Sequence, residues 1–175
     1  METETNSSNV IVPSDADFER YAASARTALR HSNEARTDLI AALGITPDPK
    51  EAAALAAPLS YDYRCICKIV VTVGVHGWLT IDFSQNDRAV GRYECEFNGP
   101  IVGSGGVVWG SAALNYDLKW LIANKWRANA NIVSGEVYVS VDFTGLHDER
   151  IGHFHGGGLS GCVGAGFGQG PFSNP

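Results

Sequence analysis

At 175 residues and a net charge of −6, the chain suits one domain with a proper core, or a small domain with an appendage. The acidic balance disfavours nucleic acid, which wants a basic face, and simple attraction to anionic lipid. With 45% hydrophobic and 18% charged residues the composition is that of a soluble globular protein, and no apolar run is long enough to predict a membrane-spanning helix.

The N-terminal stretch METETNSSNVIVPSDADFER has acids where a secretory signal needs Lys or Arg, and it has no apolar segment. The expectation is a chain that is cytosolic, exported by another route, or already trimmed. Ser14 is placed to cap a helix, with Asp15 and Asp17 in its first turn favouring the positive end of the dipole. Phe18, Ala22, Ala25 and Leu29 follow helical spacing, which Leu39 and Leu43 resume before Gly44. The polar stretch His31–Arg36 between them speaks against one unbroken helix. Asp48-Pro49-Lys50-Glu51 then combines an N-cap, a first-turn Pro and a first-turn Glu, predicting a second helix that ends before Pro58. Residues 1–60 are therefore expected to be a helical or partly disordered N-terminal arm.

From Tyr61 the period becomes two. Cys65, Cys67, Ile69, Val71 and Val73 share one face; Leu79, Ile81 and Phe83 alternate with Thr80 and Asp82 beyond a turn at Gly74–Gly77. After the turn Gln85-Asn86-Asp87, residues Ala89, Gly91, Tyr93, Cys95 and Phe97 oppose Arg88, Arg92, Glu94 and Glu96. Asn98-Gly99-Pro100 turns the chain again. Val137, Val139, Val141 and Phe143 alternate with Tyr138, Ser140 and Asp142, and His147-Asp148-Glu149 is a loop tip.

Strands are predicted over 61–73, 76–84, 88–97, 101–110, 112–122, 126–134, 136–144 and 150–168, the last with a break at Gly156–Gly158 if it is two. Segment 114–125 fits a short helix equally well. Sixteen of the 20 glycines lie at or after Gly99, and glycine inside a strand marks a bend, a bulge or close backbone approach. Small closed barrels need such points. Residues 61–175 are therefore expected to form a mainly β, glycine-rich domain: one closed antiparallel barrel of about eight strands.

Candidate chemistry is sparse. Cys65 and Cys67 lie two apart on a strand, a poor geometry for bonding each other, and with Cys95 and Cys162 they read as buried free thiols. His155-Gly156-Gly157-Gly158 matches an oxyanion-loop string, but Gly158-Leu159-Ser160-Gly161-Cys162 is not a nucleophile elbow. Gly103–Gly106 is no phosphate loop, having no following Lys-Ser/Thr. His153 and His155 share a strand face and, with Asp148 or Glu149, are the candidates for a metal pair or an acid–base pair. A wet barrel rim is the simpler placement for them. Trp78, Trp109, Trp120 and Trp126 are expected to fill the barrel interior and its ends, or else to line a ligand pocket. No catalytic, cofactor-binding or metal-ligating set is nominated.

Glu96-Phe97-Asn98-Gly99, Gly103–Gly110, Tyr116-Asp117-Leu118, Val137–Gly145, Ile151-Gly152-His153-Phe154 and Gly157–Phe172 come in an order that resembles the virulence-associated proteins of rhodococcal pathogens, the Vap family. The resemblance spans roughly residues 61–172 and rests on structural motifs. It implies an eight-stranded barrel with a short helix behind a variable N-terminal segment. It also implies a secreted factor that acts inside host phagocytes, without an established enzymatic activity, some relatives associating with lipid membranes. The chain departs from that pattern in its N-terminus, its long helical arm and its four cysteines. The leading expectation is a non-enzymatic Vap-like barrel effector that binds a membrane surface or a host protein. The alternatives are a lipocalin-like barrel for a small hydrophobic ligand, and a small barrel enzyme using His153 or His155.

Overall fold

The computed structural model describes residues 12–57, 60–72 and 75–175. Helices α1 (Asp15–Leu43) and α2 (Pro49–Ala56) precede strands β1 (Tyr61–Val71), β2 (His76–Gln85), β3 (Arg88–Asn98), β4 (Ile101–Gly103) and β5 (Gly105–Leu114). A short helix α3 (Leu118–Ala123) follows, then β6 (Arg127–Gly135), β7 (Tyr138–Thr144), β8 (Arg150–Leu159) and β9 (Cys162–Ser173). The expectations for Val73, Gly74, Pro58 and residues 1–11 lie outside the described residues.

All strand pairs are antiparallel, in the order β3-β2-β1-β5-β8-β7-β6-β9, and β9 pairs back onto β3 to close an eight-position ring. The extra strand β4 continues the line of β3 along β9, pairing Val102 with Val163. The division differs from the expected one: the chain breaks at Ser104, not at Ser111. Gly103 and Gly105 take φ of +125° and +91°, which a side chain rarely adopts, and the strand resumes only beyond them. Residues 115–122 leave the sheet, since Asp117 accepts from the Lys119 and Trp120 amides and starts α3. β8 runs through Gly156–Gly158 unbroken and turns at Ser160-Gly161 instead. Asn86 and Asp87, both at positive φ, make the tight β2–β3 hairpin. Next to it the register slips, Phe83 facing Gly91 and Ser84 facing Ala89. Val90 is the extra residue of this bulge, and Ala89, expected inward, is exposed.

The interior is filled by side chains. Tyr93, Phe83, Phe97, Phe143 and Phe154 are fully buried, with Ile69, Leu79, Ile81 and Ile101 between them. Tyr93 packs edge-on to Phe143 at 5.0 Å and against Phe172 at 5.2 Å, and its hydroxyl donates to the Ala128 carbonyl at 2.9 Å. The space for these rings comes from β9, whose inward positions between Cys162 and Phe172 are Gly164, Gly166, Gly168 and Gly170. A Cβ on Gly166 would lie 2.8 Å from the Phe97 ring, and one on Gly168 would lie 2.7 Å from the Cys95 sulfur.

Helix α1 is continuous through His31–Arg36, against expectation. Its buried face runs Ala22, Ala25, Leu29, Arg36, Ile40 at helical spacing, so Arg36, with Asn33 beside it, turns inward with partners supplied while His31 and Glu34 stay exposed. Asn33 and Asn115 exchange amide hydrogen bonds of 2.9 and 2.8 Å. Arg36 Nε donates to Glu51 of α2 at 2.8 Å, both side chains under 10% exposed, and Arg36 Nη2 reaches the His147 carbonyl. The caps are as expected: Ser14 in a capping box with Asp17, Gly44 left-handed, and Asp48 accepting from the Lys50 and Glu51 amides. The helix lies over β5 and β8, where Ala25 and Leu29 meet Ala113.

Truncating one partner of a buried ion pair leaves the other charge unpaired, at a cost of about 3–5 kcal/mol. Arg36→Ala should therefore lower the thermal midpoint sharply, and the double variant Arg36→Met/Glu51→Leu should recover most of the loss. A midpoint unchanged by Arg36→Ala would contradict this role for the pair.

Candidate functional site

His153 and His155 stand in the middle of β8 on its outer face, at the side where α1 crosses, and not at a barrel rim. Their partners come from β7, because the hairpin register sets Asp142 opposite His153 and Ser140 opposite His155. His153 Nδ1 lies 2.7 Å from Asp142 Oδ1 and its Nε2 lies 3.0 Å from Ser140 Oγ. Asp148 and Glu149, the acids nominated from sequence, are elsewhere. Glu149 pairs with His147 in the β7–β8 loop, and from there Asp148 and Glu149 raise the Arg36 guanidinium's proton affinity, behind the larger contribution of Glu51. His155 is half-buried, its ring 6.2 Å from Tyr21 of α1 and stacked 6.3 Å from Tyr138. Burial, and then the neighbouring His153, hold its pKa below the ordinary 6.5.

A carboxylate only accepts, so Nδ1 of a neutral His153 carries the proton and Nε2 is left to accept from Ser140. Serine, imidazole and carboxylate thus stand in the order of an acyl-transfer relay. Two features set it apart from a working one. The imidazole is 7% exposed while the Asp142 side chain is half-exposed, the reverse of a buried acid behind an open base. Ser140 also sits on a strand paired along both edges, with β6 and β8, so its neighbouring amides are taken by the ladders and none points at a developing oxyanion. As it stands the relay joins β7 to β8 through side chains on their outer face.

Other nominated groups fall apart in space. Ser160 is buried, donating to the Gly135 and Cys162 carbonyls at the β8–β9 turn. All four cysteines are free and buried. Burial pushes the Cys65 and Cys67 thiols up, and Cys95 to about 11, which keeps them protonated and inert. The barrel interior holds none of the four tryptophans. Trp78 is exposed on β2 and Trp109 half-buried on the outer face of β5. Trp120 and Trp126 pack with Tyr116 at the α3 end, partly as expected.

The feature that residue types alone did not mark is the polarity of the barrel's two ends. One end gathers Thr72, Val75 and the turns 99–104, 136–137 and 160–161. There Val75, Val102, Val137, Leu159 and Val163 are 59, 70, 64, 78 and 44% exposed. Among the described residues of those turns, Glu136 is the one acid or base. The opposite end carries Asp87, Arg88, Asp117, Lys119, Lys125, His147, Asp148 and Glu149. Val75, Val102, Val137, Leu159 and Val163 thus leave one end apolar, while the other is charged. Period-two alternation does not reveal it, since these residues belong to turns and strand ends.

No family model matches the chain, and no curated protein matches it. Among solved structures it is similar to the virulence-associated protein VapB of Rhodococcus equi, with a TM-score of 0.54 and 19% identity over 66% of this chain and 99% of that one. VapD of the same organism gives 0.55 and 18%, over 66% of this chain and all of that one. The fold is thus the Vap barrel, as the sequence resemblance implied. The third of this chain left uncovered has no counterpart in either structure.

Because docked His155 binds a proton less readily than a free histidine, the folded state disfavours its protonation. Stability present above pH 6.5 is then lost progressively as the pH falls below that value. The thermal midpoint should fall further between pH 7.5 and 5 in the parent than in His155→Gln; equal falls would contradict the assignment.

Proposed function

We propose that this chain is a non-enzymatic, Vap-like virulence-associated barrel protein that acts by docking its apolar end on a membrane surface. The observation that carries this reading is the ring of exposed valines and Leu159 on turns nearly free of charge. Fully burying a Val or Leu side chain is worth about 1.5–3 kcal/mol, so a few of them suffice for reversible attachment. The net charge of −6 disfavours attraction to anionic headgroups. Attachment through this end therefore needs neutral lipid only. The committed strand amides beside Ser140 support the non-enzymatic part of the reading. A lipocalin-like role would need room inside the ring, where Tyr93, Phe83, Phe97 and Phe143 stand instead.

Flotation with neutral phosphatidylcholine vesicles tests the proposal. The parent protein should float with the vesicles, and raising salt to about 0.5 M should leave that fraction unchanged, since exposed charges are screened there. Leu159→Asp should reduce binding by about tenfold or more. A parent protein that stays with the soluble fraction, or one released by salt, would overturn it.

A further inference from the structure

At the other end of the barrel, α2 and α3 flank a groove of about 730 Å3, within the range of small-molecule sites. Its walls include Tyr61, Tyr116 and Trp120, the methyl groups of Ala53 and Ala57, and Asp117. A cation already sits against it. Lys50 Nζ lies 3.4 Å from the centroid of the Trp120 ring. That ring is braced by Tyr116, stacked at 5.5 Å and 25°, and by Trp126 at 5.6 Å. Carboxylates stand nearby, Glu51 among them already paired with Arg36. Asp117 is in the wall, and Asp48, Glu51 and Glu149 lie close enough to Tyr116 to add to the effect of burial on its hydroxyl, which is pushed up to about 12.

We propose that this groove binds an organic ammonium ion of the trimethylammonium type, with the Lys50 side chain as an internal competitor for the Trp120 face. An indole is the best aromatic partner for a cation, and nearby carboxylates exclude anions. Choice among cations follows from hydration. A lysine ammonium is compact and strongly hydrated, whereas a methylated ammonium sheds less water and also gains contact with Ala53 and Ala57. Lys50 is exposed and lines the groove, and its part in the α2 cap is played by its backbone amide, so displacing the side chain leaves that cap intact.

The indole N–H resonances of the full chain, with Trp120 assigned through Trp120→Phe, give the test. Choline or tetramethylammonium chloride should shift the Trp120 signal saturably, and sodium chloride at equal ionic strength should not. Lys50→Ala should tighten binding by about fivefold or more by removing the competitor. Tyr61→Ala, at an exposed position, should weaken it with the fold intact. Failure of both the parent and Lys50→Ala to show a saturable shift would overturn the proposal, as would an equal response to sodium. Because phosphatidylcholine itself carries a trimethylammonium headgroup, Leu159→Asp keeps the two readings apart: Leu159 does not line this groove, so loss of flotation with an unchanged choline shift assigns vesicle attachment to the opposite end.

Discussion

The structure depends on one close approach, that of β9 to β3. Closing a ring of this size brings the last strand against the first with bulky side chains on one of them, and β9 makes that fit by having none on its inner side. Gly164, Gly166, Gly168 and Gly170 face the interior in succession, and Phe97, Cys95 and Ile101 occupy the volume so released. Side-chain volume is thus moved from one strand to its neighbour, which is how a small barrel reaches interior packing density without a void. A filled barrel leaves its outer surface and ends for interaction.

The outer surface is treated unequally. Over β5 and β8 it is covered by α1, through a contact in which apolar area is small and polar pairing is dense. Ala25, Leu29 and Ala113 form a separate cluster of three, while Arg26–Asp62, Arg64–Asp15, Asn33–Asn115 and Arg36–Glu51 tie the helix down. The exposed pairs contribute little each. The buried Arg36–Glu51 pair is different, because it joins α1, α2 and the β7–β8 loop at one point. Helical cover and apolar end are therefore held by different forces, one by pairing of charges and amides, the other by the bare barrel itself.

The barrel was legible because its signals are local: alternation from Tyr61, hairpin residues at Asn86-Asp87, and glycines crowded after Gly99. The caps at Ser14, Gly44 and Asp48 were legible for the same reason. What the chain alone did not disclose depends on register. The pairing of His153 with Asp142 depends on the register slip between Phe143 and Thr144: an even fold about the 145–149 loop sets Asp142 opposite Gly152, and the extra residue Ile151 moves it to His153. Continuity of α1 through His31–Arg36 required Asn115 and Glu51, which come from distant elements. The tryptophans misled because size suggested the interior, whereas the core took phenylalanine and tyrosine and left indoles outside. Polarity between the two ends emerges only once the up-and-down topology assigns each turn to an end.

Native-state hydrogen exchange of the β9 amides tests ring closure most directly. If β9 is paired on both sides, with β6 and with β3, amides such as those of Phe167 and Gln169 should exchange only through openings nearly as costly as global unfolding, like those of β7. Rapid exchange confined to the facing edges of β3 and β9, with the other strands protected, would mean an open sheet and would contradict the account.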